Sequence, residues 1–216
     1  MIVDYVKFRD NALLMAEGGY VPIFGEFLEP LGEVVNECIW KIKRASKKDA
    51  ILLIDSNGGD NAVFSSIRAT MVESGLIFRG LVLGKAYSNG FNILQACHKR
   101  EILSGANVLF HWGSQQIGNN MLNALINGKK WVPEYIVEKE LVELRFVSKR
   151  TGISEKVLME LAAEERMIPA KFALELGMVD EIIDTIPVEV STALKEVRTD
   201  IPTGKVKKEK KGKKTK

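Results

Sequence analysis

Histidine and cysteine are scarce in this 216-residue chain, with two of each: His98 and His111, Cys38 and Cys97. Cys97 and His98 are adjacent, so the four cannot be arranged with the ligand spacing of a zinc site, and no metal or other cofactor is expected. Both cysteines lie in apolar, patterned segments, which suits reduced core thiols in a cytoplasmic protein rather than a secreted disulfide scaffold. No apolar run approaches the roughly 18 residues needed to cross a membrane. The opening Met1–Asp10 carries charge early and has no apolar stretch of the signal-peptide kind, so no leader is expected. Gly80-Leu81-Val82-Leu83-Gly84-Lys85-Ala86 falls one residue short of a phosphate-binding loop and lacks the following Ser or Thr, which removes the one candidate nucleotide site.

What is present is an ordinary globular balance: 46% hydrophobic and 27% charged residues, in a chain long enough to bury its own core. The net charge of +3 is unevenly placed. Lys205–Lys216 holds eight lysines and one glutamate, a local +7, so the remaining residues carry about −4 of that total. A lysine-rich end without aromatics reads as a solubilising, disordered tail, and nucleic-acid binding is not expected of it.

Strand-like and helix-like patterns alternate. Tyr20–Phe24 is short and apolar; a helical pattern follows from Pro30, with Leu31, Val34, Val35, Cys38 and Ile42 on one face. Ala50–Ile54 reads as a strand buried on both faces, closed by a turn cluster at Asp55–Asp60 that includes a tight Gly58-Gly59 turn. A helix carrying Phe64, Ile67 and Met71, a strand at Ile77–Leu83, a turn holding Ser88, an apolar helix and a strand at Val108–Phe110 come next. His98 falls in a charged, exposed stretch ending a helix. From about Met121 to Leu161 the chain changes character: Trp131, Tyr135, Leu141, Leu144 and Val147 mark a long amphipathic helix that stops near Thr151-Gly152; Ser154 caps another, Pro169 begins a short one, and Met178–Ile183 closes as a strand. Repeated βα units predict an α/β fold with a mainly parallel sheet.

Parallel strands bring their carboxyl ends to one side, where active sites gather. The turn after Ile54, the turn holding Ser88, and His111 all fall at such ends. A serine at a strand-to-helix turn becomes a nucleophile when a base takes its proton, and His111 is the better placed of the two histidines. The Gly59 and Asn89 backbone amides are the expected donors to a tetrahedral oxyanion. Plainer readings exist for each: Ser88 as a helix cap, His111 as a satisfied strand-end histidine, Gly58-Gly59 as a simple turn.

Asp55-Ser56-Asn57-Gly58-Gly59, then Gly84-Lys85-Ala86-Tyr87-Ser88-Asn89-Gly90, then Val108-Leu109-Phe110-His111, resemble in that order the proteolytic subunit of the Clp protease, the ClpP family. The ending Ala173–Ile182 is similar to the family's closing pattern, and the likeness runs from about Tyr20 to Ile183. Asn57 stands where the family usually has proline, and Tyr87 where it has a small residue. The family's third triad member is an aspartate whose place falls here on Glu165, with Glu164 as the neighbouring candidate. A glutamate carries the same charge on a longer stem and can orient an imidazole.

The resemblance implies the ClpP/crotonase-like spiral of repeated ββα units with a protruding helical arm, and a division into residues 1–19, a peptidase domain over 20–186 with the arm at about 122–149, and an extension over 187–216. It implies a serine endopeptidase acting on unfolded polypeptides through Ser88, His111 and Glu165, inside a homo-oligomer of stacked heptameric rings, with a ring-shaped ATP-driven AAA+ unfoldase as partner. Only some two dozen residues precede Gly25, fewer than the family usually has there, which keeps a form without an unfoldase in view. Two rival readings are a catalytically impaired ring subunit or scaffold, and a crotonase-type acyl-CoA hydratase or isomerase, against which the Ser88/His111 pair argues.

Overall fold

A computed structural model describes residues 5–113 and 118–198. Among the described residues it has seven strands in one sheet and nine helices. The fold is mixed α/β, as the alternating pattern predicts. None of these helices is long and apolar enough to cross a membrane.

The first half repeats one unit. Helix α1 (Tyr5–Gly18) leads into strand β1 (Tyr20–Phe27), α2 (Glu29–Arg44), β2 (Asp49–Gly59), α3 (Asn61–Ser74), β3 (Ile77–Tyr87) and α4 (Asn89–Ala96). Pro30 occupies the first turn of α2, whose face at Leu31, Val34, Val35, Cys38, Ile39 and Ile42 is buried. Asp60 caps α3, its carboxylate accepting from the amides of Ala62 and Val63 at 2.6 and 3.1 Å. Gly75, at φ 62°, ends that helix in the left-handed conformation. β1, β2 and β3 pair in parallel, with their continuous apolar runs at the centre of the core.

β3 has two successive neighbours on its outer edge. Its first half pairs with β4 (Lys99–Leu103), from Arg79↔Lys99 to Val82↔Ile102. Its last residues pair with β5 (Asn107–Leu109), from Lys85↔Asn107 to Tyr87↔Leu109. β5 also meets the short antiparallel β6 (Ile168–Pro169), and β4 meets β7 (Glu181–Ile183). Between β5 and β6 lie α5 (Asn119–Ile126), α6 (Trp131–Thr151) and α7 (Glu155–Glu164); α8 (Ala170–Glu175) precedes β7, and α9 (Val188–Arg198) follows. Gly152 ends α6 at φ 80°, and Ser154 caps α7 by accepting from the Val157 amide, both at the expected places.

Several expectations are corrected. β2 and β3 run four or five residues beyond the predicted strands, because β1 stays paired through Phe27↔Gly59 and β5 holds the end of β3. The tight Gly58-Gly59 turn is therefore the carboxyl end of a strand, with positive φ at both glycines. The stretch after His98 is an interior strand rather than a helix end: charged Lys99, Arg100 and Glu101 hide its pattern, yet Arg100 and Glu101 are buried. The first and last described helices are partly buried against the sheet. Ala12, Met15 and Ala16 of α1 are buried, and Met15 joins Leu53, Leu81, Val190 and Leu194 in one cluster. Cys38 and Cys97 are free and buried, and burial pushes each thiol up to about 12. The Lys205–Lys216 segment lies outside the described residues.

Asp180 staples the β4–β7 edge. Its carboxylate accepts from the Arg100 amide at 2.7 Å and from the buried Arg100 guanidinium, while its own amide donates to the Arg100 carbonyl. Burial raises the Asp180 carboxyl, but the Arg100 hydrogen bonds and charge outweigh it and hold the group below its ordinary value. The pair's contribution is thus complete above about pH 4 and is lost as pH falls through the lower, folded value. Asp180→Asn is expected to lower stability at neutral pH by roughly 1–3 kcal/mol, since Arg100 loses a charged acceptor. Urea midpoints measured from pH 7 down to pH 2 should fall less steeply in the variant than in the wild type; parallel curves contradict this account.

Candidate active site

The site begins with one backbone bond. The Ser88 amide donates to the Leu109 carbonyl at 2.9 Å, extending the β3–β5 pairing by one step. That register sets Ser88 near the end of β5, two residues before His111. Ser88 itself has φ 52° and ψ −123°, a conformation that costs a non-glycine residue about 1–3 kcal/mol. The chain there reverses sharply from β3 into α4, as in strand–nucleophile–helix elbows. Ser88 occupies the cap position of α4, yet its side chain makes no capping hydrogen bond. The capping reading of this serine is thus not how its hydroxyl is used.

Gly58 lies directly against this turn. A Cβ on Gly58 would come within 2.6 Å of the Ser88 Cβ, 2.7 Å of the Tyr87 carbonyl oxygen and 2.8 Å of the Asn89 nitrogen. Only a glycine allows that approach, and its φ of 85° adds a second reason. At Gly59 a Cβ would meet the Phe27 backbone at 2.8–3.2 Å, so this strand end also packs closely on β1. The Gly58 amide donates to Ser56 Oγ at 3.0 Å. The Asn89 amide is in the first turn of α4, where a backbone N–H has no acceptor within the helix.

Three polar side chains hold these loops together. Ser56 is fully buried and donates to the Gly25 carbonyl at 2.6 Å while accepting from Gly58. The Asn89 side chain, 3% exposed, donates to the Gly59 carbonyl and to Asn61 Oδ1, both at 2.7 Å. Glu140, on α6, accepts from the Gly113 amide at 2.9 Å and ties the helix to the chain just beyond His111. Phe91 of α4 packs on Phe110 with ring centroids 6.0 Å apart, beside the histidine. The sequence patterns do not single out Ser56, the Asn89 side chain or Glu140, because each acts through residues distant in the chain.

His111 is half-buried and lines the same cleft of about 260 Å³ as Ser88 and Asn89. Its Nδ1 lies 3.6 Å from Glu165 Oε1, within ion-pair range but long for a hydrogen bond. Glu165 is 70% exposed and has φ 47°, at the end of α7. Glu164 pairs instead with Arg166 at 3.0 Å. Of the two neighbouring glutamates, the structure brings Glu165 to the imidazole. Tyr87 links this loop to the elbow by donating to Met167 Sδ at 3.0 Å. Burial, aided by Asp55, raises the Tyr87 phenol and keeps it a donor. His98 belongs elsewhere: its Nδ1 accepts from the Phe78 amide at 3.0 Å and so serves the sheet. Among the described residues, no group of His, Cys, Asp and Glu side chains is arranged to hold a metal ion.

A parallel sheet that delivers a strained serine, a histidine and a glycine-lined backbone to one cleft defines a class of α/β hydrolytic enzymes. The chain belongs to the Clp protease family, whose model matches residues 26–186. No curated protein matches the chain.

The strain at Ser88 has a measurable signature. Glycine adopts its backbone conformation freely and alanine does not, so Ser88→Gly should be more stable to urea than Ser88→Ala by about 1 kcal/mol. This reverses the usual order in helix and strand interiors, where alanine is the more stable of the two. A more stable alanine variant contradicts the strained elbow.

Proposed function

We propose that this Clp-family protein is a serine endopeptidase with Ser88 as nucleophile, His111 as general base and Glu165 as the acid that orients it. One observation carries the reading. A serine held in a strained strand-to-helix turn, its hydroxyl unused as a cap, shares a cleft with a histidine whose Nδ1 faces a carboxylate.

In this scheme Ser88 Oγ attacks the scissile carbonyl carbon as its proton passes to His111. Glu165 stabilises the imidazolium, and the amides of Asn89 and Gly59 donate to the oxyanion. Collapse breaks the C–N bond, and the imidazolium gives its proton to the departing amine. Water, deprotonated by His111, then releases the acyl group and restores the serine. The exposure of Glu165 and its 3.6 Å separation suit a contact that tightens when substrate or a neighbouring subunit covers the site.

The catalytic unit is taken as residues 20–186, with the arm over about 122–149. Leu122, Ile126, Trp131, Tyr135, Val137 and Val142 of that arm are large, apolar and exposed, which supports burial against further copies of the chain. Stacked heptameric rings enclosing the sites, polypeptide substrates and an ATP-driven unfoldase partner complete the proposal. A cytoplasmic setting accords with the two reduced thiols. The long His111–Glu165 separation is also what an impaired scaffold subunit would have, so one experiment addresses both readings.

A fluorophosphonate probe should label wild-type protein and fail on Ser88→Ala. His111→Ala should slow labelling on the order of 10²–10⁴-fold. Glu165→Gln should slow it on the order of 10² or more, whereas Glu164→Gln should leave it within about twofold. Inert, fully assembled wild type supports the scaffold reading; equal rates for the two glutamine variants remove Glu165 from the triad.

A further inference from the structure

The pairing that aims Glu165 at His111 is very short. β6 contributes two residues, with Asn107↔Pro169 and Val108↔Ile168 in antiparallel register. Continued by the same count, that register sets Leu109 opposite Met167 and His111 opposite Glu165, which accords with the 3.6 Å contact between the last two. Beyond the paired residues the loop has little to fix it. Glu165 ends α7 in the left-handed conformation, and the exposed Glu164–Arg166 ion pair lies within the loop, so it cannot tie the loop to the sheet.

β5 lies between β6 and the end of β3, where Tyr87 pairs with Leu109. Tyr87, Leu109 and Met167 therefore form one row across three segments of chain. Side chains alternate along strands, and the neighbours Ala86, Val108 and Ile168 are buried, so this row occupies the opposite, more exposed face. His111 and Glu165 lie two positions further on, over the same face. Neighbouring strands are about 4.8 Å apart, which puts the outer members of the row about 10 Å apart at the backbone. The Tyr87 phenol reaches past Leu109 and closes that gap, donating to Met167 Sδ at 3.0 Å. A small side chain at position 87 could not span it.

The bond has one polarity, because a thioether has no hydrogen to give. Burial, then the charge of Asp55, raise the Tyr87 phenol and keep its proton in place. The two ends of the contact differ in firmness. Tyr87 is the last residue of β3, and the Ser88 amide that follows it donates to the Leu109 carbonyl. Met167 is 58% exposed and sits between Glu165 and the paired Ile168. One side chain thus joins the best-held strand end of the site to the loop that carries the carboxylate.

Resting on the serine-peptidase reading, we propose that Tyr87 is a positioning residue whose hydroxyl straps the Glu165 loop across β5 and holds the carboxylate at the His111 imidazole. It acts only through Glu165. The strap adds a third row to a two-residue ladder, on the face and at the end where the acid must be fixed. A loose carboxylate spends part of its time away from the imidazole, and each misplaced state lowers the rate at which the base takes the Ser88 proton.

The test measures the rate of fluorophosphonate labelling of the full-length, assembled protein. Tyr87→Phe keeps the ring and removes the hydroxyl, and should label roughly three- to tenfold more slowly than wild type, the effect of one ordinary hydrogen bond. Met167→Leu should slow labelling as much, and the two changes together no more than either alone. Met167→Gln keeps an acceptor at that place and should stay within about twofold of wild type. The deciding comparison is made in Glu165→Gln, where adding Tyr87→Phe should change the rate by less than about twofold. A hydroxyl that merely supports the elbow would slow both backgrounds alike, and that result overturns the proposal. So does a Tyr87→Phe protein that labels like wild type. In either case Ser88 still reacts and the peptidase reading stands. Wild-type protein that does not label removes both.

Discussion

The contact between Gly58 and the Ser88 turn is the constraint on which the site depends. Two strand ends approach until a single methyl group would overlap a side chain, a carbonyl oxygen and an amide nitrogen. Backbone at that range is what lets main-chain N–H groups serve a reacting carbonyl, since side chains would otherwise stand in the way. The buried Ser56 and Asn89 side chains then hold the two loops in that position. The strain at Ser88 is sustained because the Leu109 carbonyl on one side and Gly58 on the other over-determine the turn.

The two sides of the site differ in rigidity. Ser88, Asn89 and Gly58 are set by paired strands and buried amides. Glu165 reaches His111 from an exposed helix end, linked to the elbow through Tyr87 and Met167. In the proposed assembly a neighbouring copy would enclose the Glu165 carboxylate, which the lone chain leaves in solvent. The apolar arm supplies the surface for it, and α6, which carries that surface, also contributes Glu140 beside His111 and Glu143 to the cleft. The exposed apolar surface and the cleft thus share one helix.

Much of this was legible in one dimension. Buried parallel strands announce themselves as continuous apolar runs, so Ala50–Ile54 and Ile77–Leu83 were located, and a residue at each strand end was placed on one side of the sheet. Helix ends at Gly152 and Ser154 followed from local capping chemistry. The failures have a common cause. β4 hides because its buried charges are paired, Arg100 with Asp180 next to β7, and Glu101 with Arg79 of β3 and with Lys99 of its own strand. The extension of β2 through Gly59 depends on pairing with β1, and polar glycine-rich residues look like a turn until a neighbour is present. The packing of α1 against α9 likewise joins residues more than 170 positions apart in the chain. The proposed nucleophile and base come from motif order, whereas the amide relay from Gly59 through Asn89 to Asn92 exists only in three dimensions.

The most direct measurement is a crystal structure of the assembled protein with a peptide boronate. The account predicts a covalent bond from Ser88 Oγ to boron, one boronate oxygen within about 3.1 Å of the Asn89 amide nitrogen, and the His111 ring against the other side of the adduct. Boron bound elsewhere, or bound at Ser88 with its oxygens turned away from that amide and His111 out of reach, contradicts it.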